Sequence, residues 1–151
     1  MNTELKRILL VDDSARDTEL AVDALAQHNL ANEVVSLRDG VEALDYLYRR
    51  GPFADRIIGN PAVVLLDLKM PRVDGIEVLR QIKSDPQLKM IPVVVMTSSR
   101  EEQDLVKSYQ LGVNAYIVKP VQFHEFVEAV KIVGAFWAVV NEPPPGSLRK
   151  Q

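Results

Sequence analysis

Residues 62–67 read Ala62-Val63-Val64-Leu65-Leu66-Asp67, five apolar residues in an unbroken run and then an acid. A run this short and this uniformly apolar predicts a strand buried on both faces, because a strand with one wet face alternates polar and apolar residues. Three further stretches share that character. Ile8-Leu9-Leu10-Val11 ends at Asp12-Asp13, Ile91 to Met96 ends at Thr97-Ser98, and Ala115-Tyr116-Ile117-Val118 ends at Lys119-Pro120. Val34-Val35-Ser36-Leu37 supplies a fifth strand, and Pro92, which has no N–H to give to a ladder, is confined to a strand start.

Between these runs the period changes. Leu20, Ala21, Ala24 and Leu25 recur at helical spacing behind Ser14, a helix-capping residue. Asp39-Gly40 predicts a turn, with Val41, Leu44 and Leu47 on a second helix. Ile76, Leu79 and Ile82 mark a third helix after Pro71 and Gly75, ended by Asp85-Pro86. A fourth runs from Arg100 to Leu111 and stops at Gly112. A long last helix is expected over about 122–142.

Five strands alternating with five helices predict an α/β fold, a doubly wound five-stranded parallel sheet with helices on both faces and a flavodoxin-like strand order. Residues 1–142 are expected to form a single domain with an extended last helix, and the Pro-rich residues 143–151 a tail. The connection from Gly51 to Pro61 is long for an ordinary loop, and its Phe53, Ile57 and Ile58 are expected to pack.

The chain has 151 residues, 47% hydrophobic and 26% charged, an ordinary globular composition that rules out disorder throughout. The lack of cysteine excludes disulfides, thiolate metal sites and a cysteine nucleophile. A net charge of −3 offers no electrostatic footprint for nucleic acid. No apolar run approaches the roughly 20 residues of a membrane span. Met1 to Lys6 is polar, unlike a signal peptide, so a cytoplasmic location is expected. His28 and His124 read as surface residues without a role, and Arg49-Arg50 and Arg149-Lys150 as solvated ends.

In an open parallel sheet the C-terminal strand ends share one crevice, where ligands bind. Asp12, Asp13, Asp67, Thr97 and Lys119 are therefore expected to meet there. Three carboxylates in one crevice need a compensating cation to stay ionised. With no histidine or cysteine in the pattern, that cation is hard and oxygen-loving. Mg²⁺ fits best, since it takes one or two carboxylates and bridges phosphate oxygens. A carboxylate beside Mg²⁺ can act as a nucleophile, and Asp67, ending the most apolar strand, is the central candidate for in-line phosphoryl transfer, with Lys119 offsetting charge. Taken singly, each residue has a plainer role. Asp12-Asp13 and Thr97-Ser98 could cap helices, Asp67 could start a loop, Lys119 could be solvated, and Tyr116 could be core or edge packing.

Four segments in register carry a family likeness. Val11-Asp12-Asp13, Leu66 to Pro71 with Asp74-Gly75, Met96-Thr97-Ser98 and Tyr116 to Pro120 together resemble the receiver domain of two-component response regulators, over about residues 5 to 130. The resemblance implies that Asp67 is the phosphoacceptor, that Asp12 and Asp13 bind Mg²⁺ with the backbone carbonyl of Lys69, and that Lys119 contacts the phosphoryl group beside a cis bond to Pro120. It also implies that Thr97 moves toward the phosphoryl group and that Tyr116 acts as a switch. The phosphodonor would be a phosphohistidine on a sensor histidine kinase. Many relatives carry a smaller polar residue in place of Lys69, which borders the path of attacking water. Such a protein is a phosphoacceptor and not an enzyme acting on a separate substrate.

The Gly51–Pro61 loop, Ser108-Tyr109-Gln110-Leu111 and Phe136 to Pro143 are similar to small response regulators paired with bacterial phytochromes, which implies a light-sensing kinase as partner and a homodimer. The last helix points to a dimer on physical grounds. Phe123, Phe126, Val127, Val130, Gly134 and Trp137 form a stripe that suits the sheet, and from Ile132 onward the helix is apolar all round. Such a helix must be covered on more than one side, although Phe136 and Trp137 could fill the chain's own core.

Too few residues follow Lys119 for a separate DNA-binding or enzymatic domain, so output is expected through protein–protein contact or onward phosphoryl transfer. Three other functions are distinguishable from this one by sequence. An aspartyl-nucleophile phosphatase would place a general acid where Lys69 stands. A flavin or nucleotide carrier would need a phosphate cradle where Asp12-Asp13 stands. A dimeric interaction module would work without phosphorylation.

Overall fold

The computed structural model describes residues 7–26, 34–57, 59–98, 101–119 and 128. Strand β1 (Ile8–Val11) comes first in the chain and stands second in the sheet. It pairs in parallel with β2 (Val34–Leu37) on one side and β3 (Val63–Leu66) on the other. Strand β4 (Val93–Thr97) pairs with β3, and β5 (Ala115–Val118) with β4, both in parallel. The order β2-β1-β3-β4-β5 is the expected flavodoxin-like arrangement. Helices α1 (Ala15–Ala26), α2 (Gly40–Tyr48), α3 (Gly75–Ser84) and α4 (Glu102–Gln110) make the crossovers.

The continuous apolar runs serve two cores. Ile8, Leu10, Val63, Leu65, Val94 and Met96 face Ala21, Ala24 and Leu25 of α1. The intervening residues Leu9, Val11, Val64, Leu66, Val93 and Val95 face the side that holds α2 and α3. A strand residue whose neighbours on both faces are helices has no wet side, which is why alternation is missing. Burying each Val, Leu or Ile here contributes roughly 1.5–3 kcal/mol relative to exposure.

Register aligns the strand exits. Val11 stands opposite both Leu37 and Leu66, and Thr97 opposite Val118. The ladder continues one residue further, with Asp12 N–H donating to Leu37 O (3.0 Å), Asp67 N–H to Val11 O (2.9 Å) and Lys119 N–H to Thr97 O (2.8 Å). Those backbone bonds fix where the polar residues after the strands begin.

Three expectations are corrected. Asp39-Gly40 is not a free turn. Asp39 is the N-cap of α2, its Oδ1 accepting from Glu42 N–H at 2.9 Å, and Gly40 is the first helical residue. A Cβ on Gly40 would lie 2.0 Å from Val73 O, so a close backbone approach requires the glycine. In the long connection a short 3₁₀ turn (Gly51–Phe53) sets Phe53 edge-on to Tyr46, with ring centroids 5.3 Å apart, but Ile57 does not pack and is 74% exposed. Ile58 lies outside the described residues. The connection is held by a polar group instead. Arg56 donates to Tyr46 O (2.7 Å), Ile57 O (2.8 Å) and Gly59 O (2.9 Å) and stacks 4.2 Å over the Tyr46 ring. Finally, Arg49 and Arg50 are not simply solvated. Arg49 caps α2 at φ 54° and donates to Arg56 O (3.3 Å), while Arg50 pairs with Asp45 at 2.8 Å.

Of the expected last helix over 122–142 only Glu128, helical and exposed, is described; the rest of it, the 143–151 tail, both histidines and the Lys119–Pro120 bond lie outside the described residues. Among the described residues no helix is long and apolar enough to cross a membrane.

Candidate functional site

The exits of β1, β3, β4 and β5 bring together the residues that the sequence singled out. Asp12 and Asp67 are buried, at 5% and 7% exposure, and Asp13 is exposed at the mouth. One carboxylate oxygen from each of the three lies within 4.8 Å of the others, a separation that a single cation spans. Thr97 is fully buried at the end of β4. Tyr116 stands half-buried on β5, packed against the core on the α2–α3 side.

Local geometry explains each placement. Asp12 Oδ1 accepts from Ser14 N–H (2.9 Å), which turns the chain toward α1, and Ser14 Oγ accepts from Asp17 N–H (3.1 Å), capping that helix as predicted. Lys69 N–H reaches back to Asp67 Oδ1 at 3.4 Å, a long contact that leaves the carboxylate acceptor capacity. Gly75 N–H donates to Leu68 O at 2.8 Å, and a Cβ on Gly75 would fall 2.2 Å from Asp67 O and 2.6 Å from Leu68 Cα. Only glycine lets the start of α3 lie against the residue that follows β3.

Lys119 crosses the crevice. Its Nζ donates to Asp12 Oδ2 (2.6 Å) and Asp17 Oδ2 (2.8 Å) and lies 3.7 Å from Asp67 Oδ2. The charges answer to this arrangement. Burial pushes the Asp12 carboxyl up to about 6, against the Lys119 ammonium and the Ser14 N–H, which favour its charged form, while Asp67 adds to the rise. Burial alone would lower Lys119, but the hydrogen bonds to Asp12 and Asp17 outweigh it and hold the ammonium above its usual range.

Two acids in the region were not anticipated. Asp17 belongs to the site through Lys119, and the Ser14-x-x-Asp17 spacing at a helix start was the signal that could have found it. Asp104 on α4 pairs with Lys69 Nζ at 3.1 Å, a contact between segments far apart in the chain that no local pattern announces. Arg72, at φ 65°, reaches Asp39 Oδ2 with Nε (3.0 Å) and Nη2 (2.7 Å) and ties the segment before α3 to the start of α2. An open cleft of about 390 Å³ borders Asp12 and Asp13 on the α1 side, and another of about 410 Å³ borders Lys69, Asp74 and Asp104 on the α3–α4 side.

Comparison with known proteins agrees with this geometry. The family model for the response regulator receiver domain matches residues 8–131. Response regulator Rcp1 of Synechocystis sp. is 40% identical over 132 residues, covering 87% of this chain and 88% of that protein. A crystal structure of the Mn²⁺-bound form of Rcp1 superimposes with a TM-score of 0.84 at 38% identity, covering 92% of this chain and 99% of that one. The phosphorylated cyanobacterial phytochrome response regulator RcpA gives 0.86 at 44% identity, covering 92% and 98%. The bacteriophytochrome response regulator RtBRR is 62% identical with a TM-score of 0.74, covering 95% and 86%.

Proposed function

The chain belongs to the response regulator receiver family, and we propose that it carries a signal by accepting a phosphoryl group on Asp67 in a Mg²⁺-dependent reaction. The observation that supports this reading most is the meeting of Asp12, Asp13 and Asp67 within 4.8 Å, with Lys119 Nζ 3.7 Å from Asp67.

Asp12, Asp13 and Asp67 would hold the metal, with the Lys69 backbone carbonyl as a further oxygen ligand. When bound, Mg²⁺ supplies positive charge to the carboxylates and to the oxygens of the transferring group. An Asp67 oxygen attacks the phosphorus, a new O–P bond forms, and the bond from phosphorus to the donor breaks opposite it. Lys119, protonated and already close to Asp67, meets a phosphoryl oxygen. Thr97 donates its hydroxyl to another, and Tyr116 follows as the switch residue. The cleft beside Asp13 on the α1 side gives the donor its approach. The added charge of about −1.5 to −2 then biases the surrounding loops.

The partner is a sensor histidine kinase, and likeness to phytochrome response regulators favours a phytochrome pathway in the cytoplasm. The apolar run from Ile132 to Val140 favours a homodimer formed through the last helix. Signalling proceeds by protein contact or phosphorelay, without nucleic acid, and the protein catalyses at most its own phosphorylation and dephosphorylation. A phosphatase reading is disfavoured by Lys69, whose side chain is a cation paired with Asp104 rather than a general acid.

Incubation with Mg²⁺ and a small acyl phosphate should add one phosphoryl group by intact mass, and Asp67→Asn should abolish it. Labelling that persists in that variant would overturn the assignment.

A further inference from the structure

Asp17 stands in the first turn of α1, where an acid suits the positive end of the helix. Its carboxylate is nevertheless turned across the crevice. Oδ2 accepts from Lys119 Nζ at 2.8 Å, a contact between residues 102 apart in the chain. The backbone beneath it is fixed by the same site, because Asp17 N–H donates to Ser14 Oγ (3.1 Å) and Ser14 N–H to Asp12 Oδ1 (2.9 Å). A lysine ammonium has three N–H donors. Asp12 Oδ2 takes one at 2.6 Å and Asp17 Oδ2 a second. Asp67 Oδ2 lies 3.7 Å from Nζ, too far for a hydrogen bond, so among the described residues the third donor has no acceptor.

We propose that Asp17 is a positioning residue that holds Lys119 so that its third N–H meets the phosphoryl group arriving on Asp67. The proposal rests on the phosphoacceptor reading above. In the transfer an Asp67 oxygen bonds to phosphorus, and the bond from phosphorus to the donor oxygen breaks. An acyl phosphate donor leaves as a carboxylate. Lys119 keeps its three protons throughout and acts only as a hydrogen-bond donor. Its ammonium sits on a flexible four-carbon stem, so a fixed direction needs a fixed anchor. Asp12 serves poorly as the sole anchor, because it belongs to the three carboxylates that gather within 4.8 Å and would share its charge with a cation there. Asp17 lies outside that set and keeps its charge for Lys119. A donor already aimed before the reaction costs no reorganisation when charge develops on the phosphoryl oxygens.

The experiment uses the full chain with acetyl phosphate and Mg²⁺, the phosphorylation rate being followed by intact mass and Mg²⁺ affinity by calorimetry. Asp17→Asn should slow phosphorylation roughly three- to tenfold, the rate equivalent of one ordinary hydrogen bond, and leave Mg²⁺ affinity nearly unchanged. Asp17→Glu, which returns the carboxylate, should recover most of the rate. In Lys119→Met, already slow, adding Asp17→Asn should slow the reaction no further. An unchanged or faster rate in Asp17→Asn would overturn the proposal. So would a loss of Mg²⁺ affinity as large as the loss of rate, since Asp17 would then act on the metal site. A further loss in the double variant would overturn it too, because Asp17 would then act without Lys119. Failure of the wild type to take a phosphoryl group, or labelling of Asp67→Asn, would instead overturn the phosphoacceptor reading, and the proposal with it.

Discussion

Lys119 and Asp12 stand 107 residues apart in the chain and meet at 2.6 Å. The pair is almost entirely out of water, at 10% and 6% side-chain exposure, and it brings a cation to the floor of a carboxylate cluster. Removing one partner of a buried pair leaves the other charge uncompensated, at a cost of about 3–5 kcal/mol. Lys119→Met is therefore expected to lower the melting temperature of the metal-free protein strongly. Mg²⁺ should recover part of the loss, because a divalent ion offsets the same carboxylates. Asp17→Asn leaves Lys119 with Asp12 and should cost only about 1 kcal/mol. Thermal melts of the three proteins with and without Mg²⁺ check this order.

Asp12 makes the stability of the metal-free protein depend on pH. Its carboxyl is raised from 3.8 to about 6 by burial, so the folded state holds the proton more tightly than the unfolded state. Between those two values stability from this residue falls as pH rises, and above about 6 the penalty is complete. Metal binding needs the carboxylate, so protons compete with Mg²⁺ below about 6. Melting curves across that range should show a smaller Mg²⁺-induced rise at the acidic end. Asp12→Asn should flatten this dependence and remove most of the Mg²⁺ effect. An undiminished Mg²⁺ shift in that variant would place the metal elsewhere.

Gly75 is expected to tolerate no side chain. A Cβ there would meet backbone on both sides, Asp67 O at 2.2 Å and Leu68 Cα at 2.6 Å, and neither is a flexible tip that can swing away. Gly75→Ala must push α3 from the strand exit, with a loss of about 1–3 kcal/mol for overpacking. The shift falls on the residue that carries the chemistry, so phosphorylation should slow as well. A variant with lowered stability and an unchanged phosphorylation rate would show that α3 gives way rather than Asp67.

Arg56 separates structure from chemistry. Its fork reaches carbonyls of both α2 and the loop, Tyr46 O at 2.7 Å and Gly59 O at 2.9 Å among them. Arg56→Lys keeps the charge but not the planar set of donors, so it should still lose about 1–3 kcal/mol in denaturant titration. Phosphorylation at Asp67 should be unaffected, because Arg56 makes no contact with the site residues among its described bonds. Rescue of stability by lysine would mean that charge, and not geometry, holds the connection.

The sequence by itself determined the sheet and the core of the site. Ile8–Val11, Val63–Leu66 and Ala115–Val118 are short, apolar and closed by polar residues, and both burial and strand ends follow from local pattern. Parallel pairing then forces Asp12, Asp67, Thr97 and Lys119 to one edge, whatever the loops do. Tertiary structure alone decided the rest. Asp39-Gly40 looks like a turn, but packing against Val73 makes it a helix start. Ile57 looks like core, but Arg56 holds the connection through backbone carbonyls and leaves Ile57 in water. The contacts of Lys69 with Asp104 and of Lys119 with Asp17 join charges on different elements. Apolar periodicity reports which face of an element is buried. It carries no information on which of several exposed or half-buried charges will meet, because that depends on how far each helix slides and turns on the sheet.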